Sequence, residues 1–456
     1  MSKISLLLLL SCSAFCAYAD LYSANSAYVG KDFPTAFKEY RELAELGQPQ
    51  AQFALAVMYA NGEGTDVSLT NAHAWASLAS RSGDDPRAKA LVAELEPQLT
   101  PTSLRFSSEI QERFGSASLN ARLMPNFLTG REYIDRDPAR RVKADVPPYP
   151  MGAAARGVQG QVYVEFLIAS DGRARLPRIV YAVPPLTFDN YVRSSVMHSE
   201  YLPARINGKP IASTVGQFYH FKLAIATSQY VGLESLVKST LVKAQAGDPS
   251  AQLLYAMMLA GLPQLNQTYD KALPWFLKAA QSGSSYAQYQ IGAGLIQGRG
   301  CECDAAKGDI WLEKAAQNDQ PDAQVTLAEH LLRDAPTEQS VAGALVWLER
   351  AAKHGNGNAK LYLAAVLATN QQAKARDHGR ALALTEDITK EFKDDPTLWE
   401  IRAAAEAAGG DFPAAGKDQA LAIKQAESLG WDLTPMRERQ DSYAAKRPWS
   451  GDLLAY

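Results

Sequence analysis

Cys301 and Cys303 are the residues of this chain best suited to covalent chemistry. In an oxidising compartment a Cys-x-Cys pair can close into a disulfide. The geometry at that spacing is tight, and two free thiols are an equal alternative. Two sulfurs do not complete a tetrahedral zinc site, and no histidine lies near them in sequence. Ser235-Leu236-Val237-Lys238 has the S-x-x-K spacing in which a lysine can assist a serine nucleophile. It stands without S-D-N or K-T-G on a helix leading into repeats, so coincidence is the better reading. There is no Gly-rich phosphate loop ending in Lys-Ser/Thr and no H-E-x-x-H. His73, His198, His220, His330, His354 and His378 are scattered and cluster with no acidic or cysteine ligands. The expectation is therefore a non-enzyme with no catalytic residue, no metal and no cofactor, which acts by binding.

The elements that would do the binding announce themselves as a rhythm. Ala251-Gln252 returns as Ala287-Gln288, Ala323-Gln324 and Ala359-Lys360, each 36 residues on. Trp275, Trp311 and Trp347 keep the same step, as do Ala279-Ala280, Ala315-Ala316 and Ala351-Ala352. Such a register predicts one helical hairpin stacked repeatedly. Asp248-Pro249 is a helix start. Ala251, Leu254, Tyr255 and Met258 make one apolar face, and Ala272, Trp275, Ala279 and Ala280 make the next. Core packing is the reading for the tryptophans. A complete unit also occurs near the N-terminus, from Ala51-Gln52 through Tyr59, Gly62, Gly64, Trp75 and Ala79 to Gly83. After residue 370 the register loosens. Residues 400–422 read as a looser hairpin, and 433–446 as a polar closing helix.

At 456 residues several domains are expected. A formal net charge of −3 supplies no positive field for nucleic acid. Lys3, the short apolar run 4–10 and Ala17-Tyr18-Ala19 read as a secretory signal cleaved before Asp20. The alternative is an anchor, either an uncleaved leader or lipid on Cys12. The apolar stretch 4–19 is shorter than the roughly 20 residues a spanning helix needs. The expected location is the periplasm. Arg131, Arg136, Arg140, Arg141 and Lys143 are offset by Glu132, Asp135, Asp137 and Asp145, which predicts a solvated connector.

From Pro147 the period changes to that of strands. Val162, Val164, Phe166 and Ile168 alternate with Gln161, Tyr163, Glu165 and Leu167. Asp171-Gly172 supplies a turn, 179–183 a return strand, Phe188 to His198 a helix, Asn207-Gly208 another turn and 213–223 a last strand. That is a small α+β unit with a helix over one sheet face.

Two resemblances follow. The units A-Q, Y-x-x-G-x-G, D-x-x-x-A-x-x-W and A-x-x-x-G resemble the Sel-one-like repeat family over residues 32–90 and 243–370. Tyr149-Pro150, Gly157, Gly160, Val162, Val164, Phe166, Asp171-Gly172, Phe188-Asp189, Pro203, Asn207-Gly208-Lys209-Pro210, Phe218 and Phe221 resemble the TonB C-terminal domain over 147–225. The expected fold is multidomain and mainly α: an α-solenoid of hairpin repeats flanking a small α+β domain. Its boundaries are signal 1–19, repeats 20–128, linker 129–146, α+β domain 147–225, repeats 226–370 and a tetratricopeptide-like cap 371–456.

The repeat resemblance implies a scaffold for protein contacts. The TonB resemblance implies capture of extended segments of envelope proteins, outer-membrane transporters among them, by strand addition. The residues it points to are Tyr149, Pro150, Val215, Gln217, Tyr219 and Phe221. Neither nucleic acid nor a small-molecule substrate is implied. An energy transducer is the alternative, although the proline-rich spacer of such proteins has no counterpart between the leader and Pro147.

Overall fold

The computed structural model describes residues 20–82, 85–127, 136–137, 139–222, 231–261, 265, 269–332, 337–370, 376–451 and 453–454. The signal read from 1–19 lies outside the described residues. Seven helices come first: α1 (Leu21–Val29), α2 (Phe33–Ala44), α3 (Pro49–Asn61), α4 (Leu69–Ser82), α5 (Pro86–Leu95), α6 (Pro101–Phe114) and α7 (Ser116–Arg122). The α+β domain follows: β1 (Arg136–Asp137), β2 (Arg140–Lys143), α8 (Met151–Ala155), β3 (Gly160–Ile168), β4 (Ala174–Val183), α9 (Asp189–His198), β5 (Glu200–Leu202), β6 (Ala204–Ile206), β7 (Lys209–Ile211) and β8 (Ser213–Phe221). The long array is α10 (Val231–Gln245), α11 (Pro249–Gly261), α12 (Tyr269–Gln281), α13 (Ser285–Gln297), α14 (Ala305–Gln317), α15 (Pro321–Leu332), α16 (Glu338–Lys353), α17 (Gly357–Thr369), α18 (His378–Phe392), α19 (Pro396–Ala408), α20 (Phe412–Ser428) and α21 (Thr434–Ala444).

The helices begin where side-chain oxygens can take up free N–H groups. Asp248 accepts from Ala251 N at 2.9 Å, Asn356 from Ala359 N at 2.7 Å and Asp395 from Thr397 N at 2.9 Å. Gly62 and Gly298 end α3 and α13 in the left-handed conformation. The recurring glutamine has a physical role. The amides of Gln52, Gln252, Gln288 and Gln324 each donate to the carbonyl eight residues earlier, at Ala44, Ala244, Ala280 and Ala316. Each carbonyl at the end of the preceding helix also accepts the backbone N–H three residues on, and the glutamine fills its second acceptor position, so the Gln stitches one hairpin to the next. Trp311 is fully buried, and its indole N–H donates to Leu123 O at 2.8 Å. Trp275 and Trp347 are half-buried, with Lys278 and Arg350 over their rings.

That Trp311 bond is one of several that dock the N-terminal helices on the array. Gln281 Nε2 donates to Leu46 O at 3.1 Å and Lys307 Nζ to Met124 O at 3.1 Å, and Phe127 forms a β-bridge with Cys301. Leu46, Leu119 and Leu123 share one core with α11–α15. The two repeat regions therefore pack together, with the α+β domain inserted between them in sequence.

The inserted domain centres on an antiparallel sheet in the order β4-β3-β8. Val162, Val164, Phe166 and Ile168 of β3 bury one face under Phe188, Val192 and Val196. Three details depart from the sequence expectation. The return strand begins at Ala174 rather than 179, and register shifts in the β3–β4 pairing bracket Leu176 to Val180. Pro177, which has no N–H, is accommodated within that irregular stretch, and Leu176 adopts φ +51° there. The stretch 129–146, read as a connector, supplies two short strands: β1 pairs with β6 and β2 with β5. The Asn207-Gly208 turn joins two strands, β6 and β7, that strand periodicity did not reveal, and both turn residues have positive φ.

Candidate peptide-binding site

Backbone alternation decides what β8 offers. The β3–β4 hairpin is closed by Ala169 N donating to Arg173 O at 2.9 Å. Residues 161, 163, 165 and 167 therefore turn their main-chain groups toward β4, and 160, 162, 164, 166 and 168 toward β8. In the unbroken register Gly160↔Phe221 to Ile168↔Ser213, the inward-facing residues of β8 are 213, 215, 217, 219 and 221. Thr214, Gly216, Phe218 and His220 face outward. Arg299 Nη1 donates to Thr214 O at 3.0 Å, as this assignment requires. Among the described residues β8 pairs with β3 alone.

The other sheet edge is covered. On β4, Arg178 Nη1 bonds Asp322 Oδ2 of α15 at 2.5 Å, and Asn358 of α17 donates to Leu176 O at 3.4 Å. The Leu176 side chain is buried in the repeat core. Beyond the hairpin turn, the Arg175 guanidinium lies 4.0 Å from the Trp431 ring. Met197 of α9 enters a cluster with Ala422, Ala426 and Trp431.

The second sheet face is also docked. Tyr163 and Phe218 join the core of α11–α15. An alanine methyl at Gly261 of α11 would sit 2.7 Å from the Tyr163 ring. Glu165 is 3% exposed and accepts from Tyr286 Oη at 2.5 Å, from Gln290 Nε2 and from Arg178. Tyr286, Asp322 and Asn358 are 36 residues apart, so one repeat position, just before the Ala of Ala-Gln, reaches the sheet from three successive units. Burial and the neighbouring Glu165 push the Tyr286 phenol well up. Burial raises the Asp322 carboxyl, with Arg178 opposing. Burial acts against the Arg178 charge too, but Asp322 and Glu165 outweigh it and keep the guanidinium protonated.

The residues singled out from sequence divide by this geometry. The main-chain groups of Val215, Gln217, Tyr219 and Phe221 point into the sheet, and the outward groups belong to the intervening residues. Tyr219 and Phe221 are buried in the domain core and Val215 packs on its margin. Tyr149 donates to Val158 O at 2.6 Å and packs edge-on against Phe188 and Phe221, and Pro150 is buried at the start of α8. Tyr149 and Pro150 thus lie at the Phe221 end of β8. Cys301 and Cys303 are not joined to each other: Cys301 is buried and held in the bridge to Phe127, and Cys303 Sγ approaches Ile296 O at 3.2 Å. The disulfide weighed from their spacing is not formed. Ser235 and Lys238 are exposed on α10. Among the described residues no group of three or more His, Cys, Asp or Glu is arranged to hold a metal ion.

A groove opens between the Thr214 end of the sheet and the first helices of three successive hairpins, α13, α15 and α17. It encloses a cavity of about 1210 Å³. Its walls include Leu167, Thr214, Ile296, Val325, Tyr362 and Val366. Sequence reading did not find it, because no local pattern encodes the approach of the sheet to the repeats. The varied polar residue before each Ala-Gln was the available signal.

Two family models match parts of the chain. The family described as Gram-negative bacterial TonB protein C-terminal matches residues 145–223. The Sel1 repeat matches 49–84, 249–284, 285–320 and 321–356. Protein TonB of Pseudomonas aeruginosa is 35% identical over 82 residues, 18% of this chain and 24% of that protein. The chain thus spans about a quarter of that relative's length. The solution structure of the Pseudomonas aeruginosa TonB CTD aligns at 33% identity with 20% of this chain and 90% of its own, at a TM-score of 0.18. A Sel1 repeat protein from Oxalobacter formigenes aligns at 15% identity with 81% of this chain and 99% of its own, at a TM-score of 0.31. A protective antigen of uropathogenic Escherichia coli with an SLR fold aligns at 17% identity with 94% of this chain and 85% of its own, at a TM-score of 0.32. The chain carries a domain of the TonB C-terminal family flanked by Sel1 repeats.

Proposed function

We propose that this protein is a periplasmic interaction scaffold whose inserted domain binds an extended segment of an envelope protein by adding it as a strand beside β8. The observation that carries the reading is the outward set Gly216, Phe218 and His220, beyond the Thr214 carbonyl that Arg299 takes, on a strand paired on one side only among the described residues. Unpaired N–H and C=O groups in a row are a template for a second chain, and main-chain bonding of this kind binds extended peptides. Docking of the opposite edge and of one whole face on the repeats directs any partner to β8. The same docking favours a scaffold over an energy transducer, since the Glu165–Arg178–Asp322 contacts bind the domain to the array as one body.

The test uses His220, whose side chain is exposed and whose N–H faces outward. His220→Pro removes that donor without removing a bond to β3, because proline is tolerated on the open side of an edge strand. A photo-crosslinking residue at 220 in the full-length exported protein should trap an envelope protein through one short segment. With the crosslinking residue moved to the exposed position of Lys222, a His220→Pro background should trap far less than the unchanged strand. Equal trapping in both would reject strand addition.

A further inference from the structure

The groove beside the sheet is occupied at one end by the chain itself. Beyond α21, residues 447–451 and 453–454 form neither helix nor strand, yet they return to the array. Leu453 is 5% exposed within the core of α15–α19, and Trp449 and Leu454 pack against the same core. Gly451, Leu453 and Leu454 form part of the cavity wall beside Ala365, Val366 and Thr369 of α17. From there the cavity continues past α15 and α13 to Thr214. Its walls repeat with the array, since Ala293, Glu329 and Ala365 are 36 residues apart, as are Ile296 and Leu332. A surface that repeats at the step of the hairpins suits a ligand that is itself extended. Its volume exceeds the roughly 300–1,000 Å³ of ordinary small-molecule sites. Gln297 Oε1 and Asn358 Oδ1, from two wall residues, are buried acceptors without a hydrogen-bond partner. An extended main chain brings donors of the kind they lack.

We infer that this groove is a second peptide-binding site, meeting the β8 edge only at Thr214, and that Trp449 with Leu453-Leu454 is its resident, displaceable occupant. The ligand class is an extended protein segment carrying adjacent large aliphatic side chains, as Leu453-Leu454 does, and it seats on α17 by displacing that pair. Burial of two leucines supplies the selectivity, because each contributes through area removed from water rather than through a unique polar contact.

The probe is a fluorescein-labelled peptide with the sequence of residues 447–456. It is titrated by anisotropy into the full-length protein and into a variant ending at Ser450, which keeps Trp449 in place. The expected result is saturable binding to the shortened protein, about tenfold or more tighter than to the full-length protein. Val366→Asp in the shortened protein should abolish it, and a peptide with both leucines changed to alanine should not bind. Should the shortened protein melt early by circular dichroism, full-length Leu453→Ala/Leu454→Ala takes its place and should admit the wild-type peptide. Equal affinity for the parent and the opened protein, or binding indifferent to Val366→Asp, would overturn the inference.

Discussion

Asp322→Ala tests whether the inserted sheet and the repeats are one cooperative body. The carboxylate bonds Arg178 Nη1 at 2.5 Å, Gln320 Nε2 at 2.7 Å and Asn356 Nδ2 at 3.2 Å. Its side chain is 9% exposed and that of Arg178 is 16% exposed. Removing one partner of a buried ion pair costs about 3–5 kcal/mol, much of it the penalty of leaving the other charge unpaired. Here Glu165 still faces Arg178, and both Arg178 and Asp322 line a cavity that water can enter. The expected cost is therefore about 2–3 kcal/mol, at or below the bottom of that range. Arg178→Met should cost a similar amount, because it leaves Glu165 and Asp322 buried without a cation. The double variant should fall short of the sum by about 1.5 kcal/mol or more, the signature of a direct contact. The assay is urea denaturation followed by tryptophan fluorescence, read as a shift of midpoint at unchanged slope. Additivity within about 0.5 kcal/mol would refute the docking, because residues 144 apart in sequence would then not be in contact.

Three further outcomes are expected. Gly216→Ala places a methyl against the Tyr163 ring, with Cζ 2.6 Å from the new carbon; Tyr163 is wedged in turn by Gly261. A loss of about 1–3 kcal/mol in the same urea assay is predicted, and an unchanged midpoint would mean that the Tyr163 ring is free to move. Gln324→Leu removes the 2.9 Å bond to the Ala316 carbonyl in a fully buried setting, where that carbonyl keeps the Asp319 N–H at 3.2 Å, and should cost about 0.5–1.5 kcal/mol; Gln297→Leu, whose amide makes only a 3.5 Å contact with Thr214 Oγ1, should cost less. His73 is buried, with Nδ1 2.8 Å from Ser107 Oγ and Nε2 unbonded, and burial lowers its pKa. Its contribution to stability is present above an unfolded pKa of about 6.5 and is lost as pH falls through the lower folded value. A melt series across that range should lose this acid sensitivity in His73→Phe, and an identical pH profile in the variant would count against the assignment.

The periodic parts of this molecule were legible because packing writes them into sequence. The Ala-Gln and Ala-Ala anchors mark helix crossings that admit only small residues, and β3 alternates because one of its faces lies under α9. What escaped notice was the second face. Glu165 occupies a slot that reads as solvent-facing, since a strand carboxylate is ordinarily exposed. It is buried because Arg178, Tyr286 and Gln290 converge on it, two of them from more than 100 residues away. The connector hid its strands for a similar reason. Arg140, Arg141 and Lys143 are exposed while their backbone pairs with β5, so charge masked the pairing. The Cys301–Cys303 question could not be settled from spacing, because Cys301 is buried beside Phe127, 174 residues away in sequence, while Cys303 is exposed.

Residue-resolved hydrogen exchange across β8 of the full-length protein tests the open edge without reference to any partner. The account predicts an alternating profile, with the amides of Gly216 and His220 exchanging quickly and those of Val215, Gln217 and Tyr219 slowly. Uniform slow exchange along 213–221 would show that the outward groups are already bonded, and would contradict it.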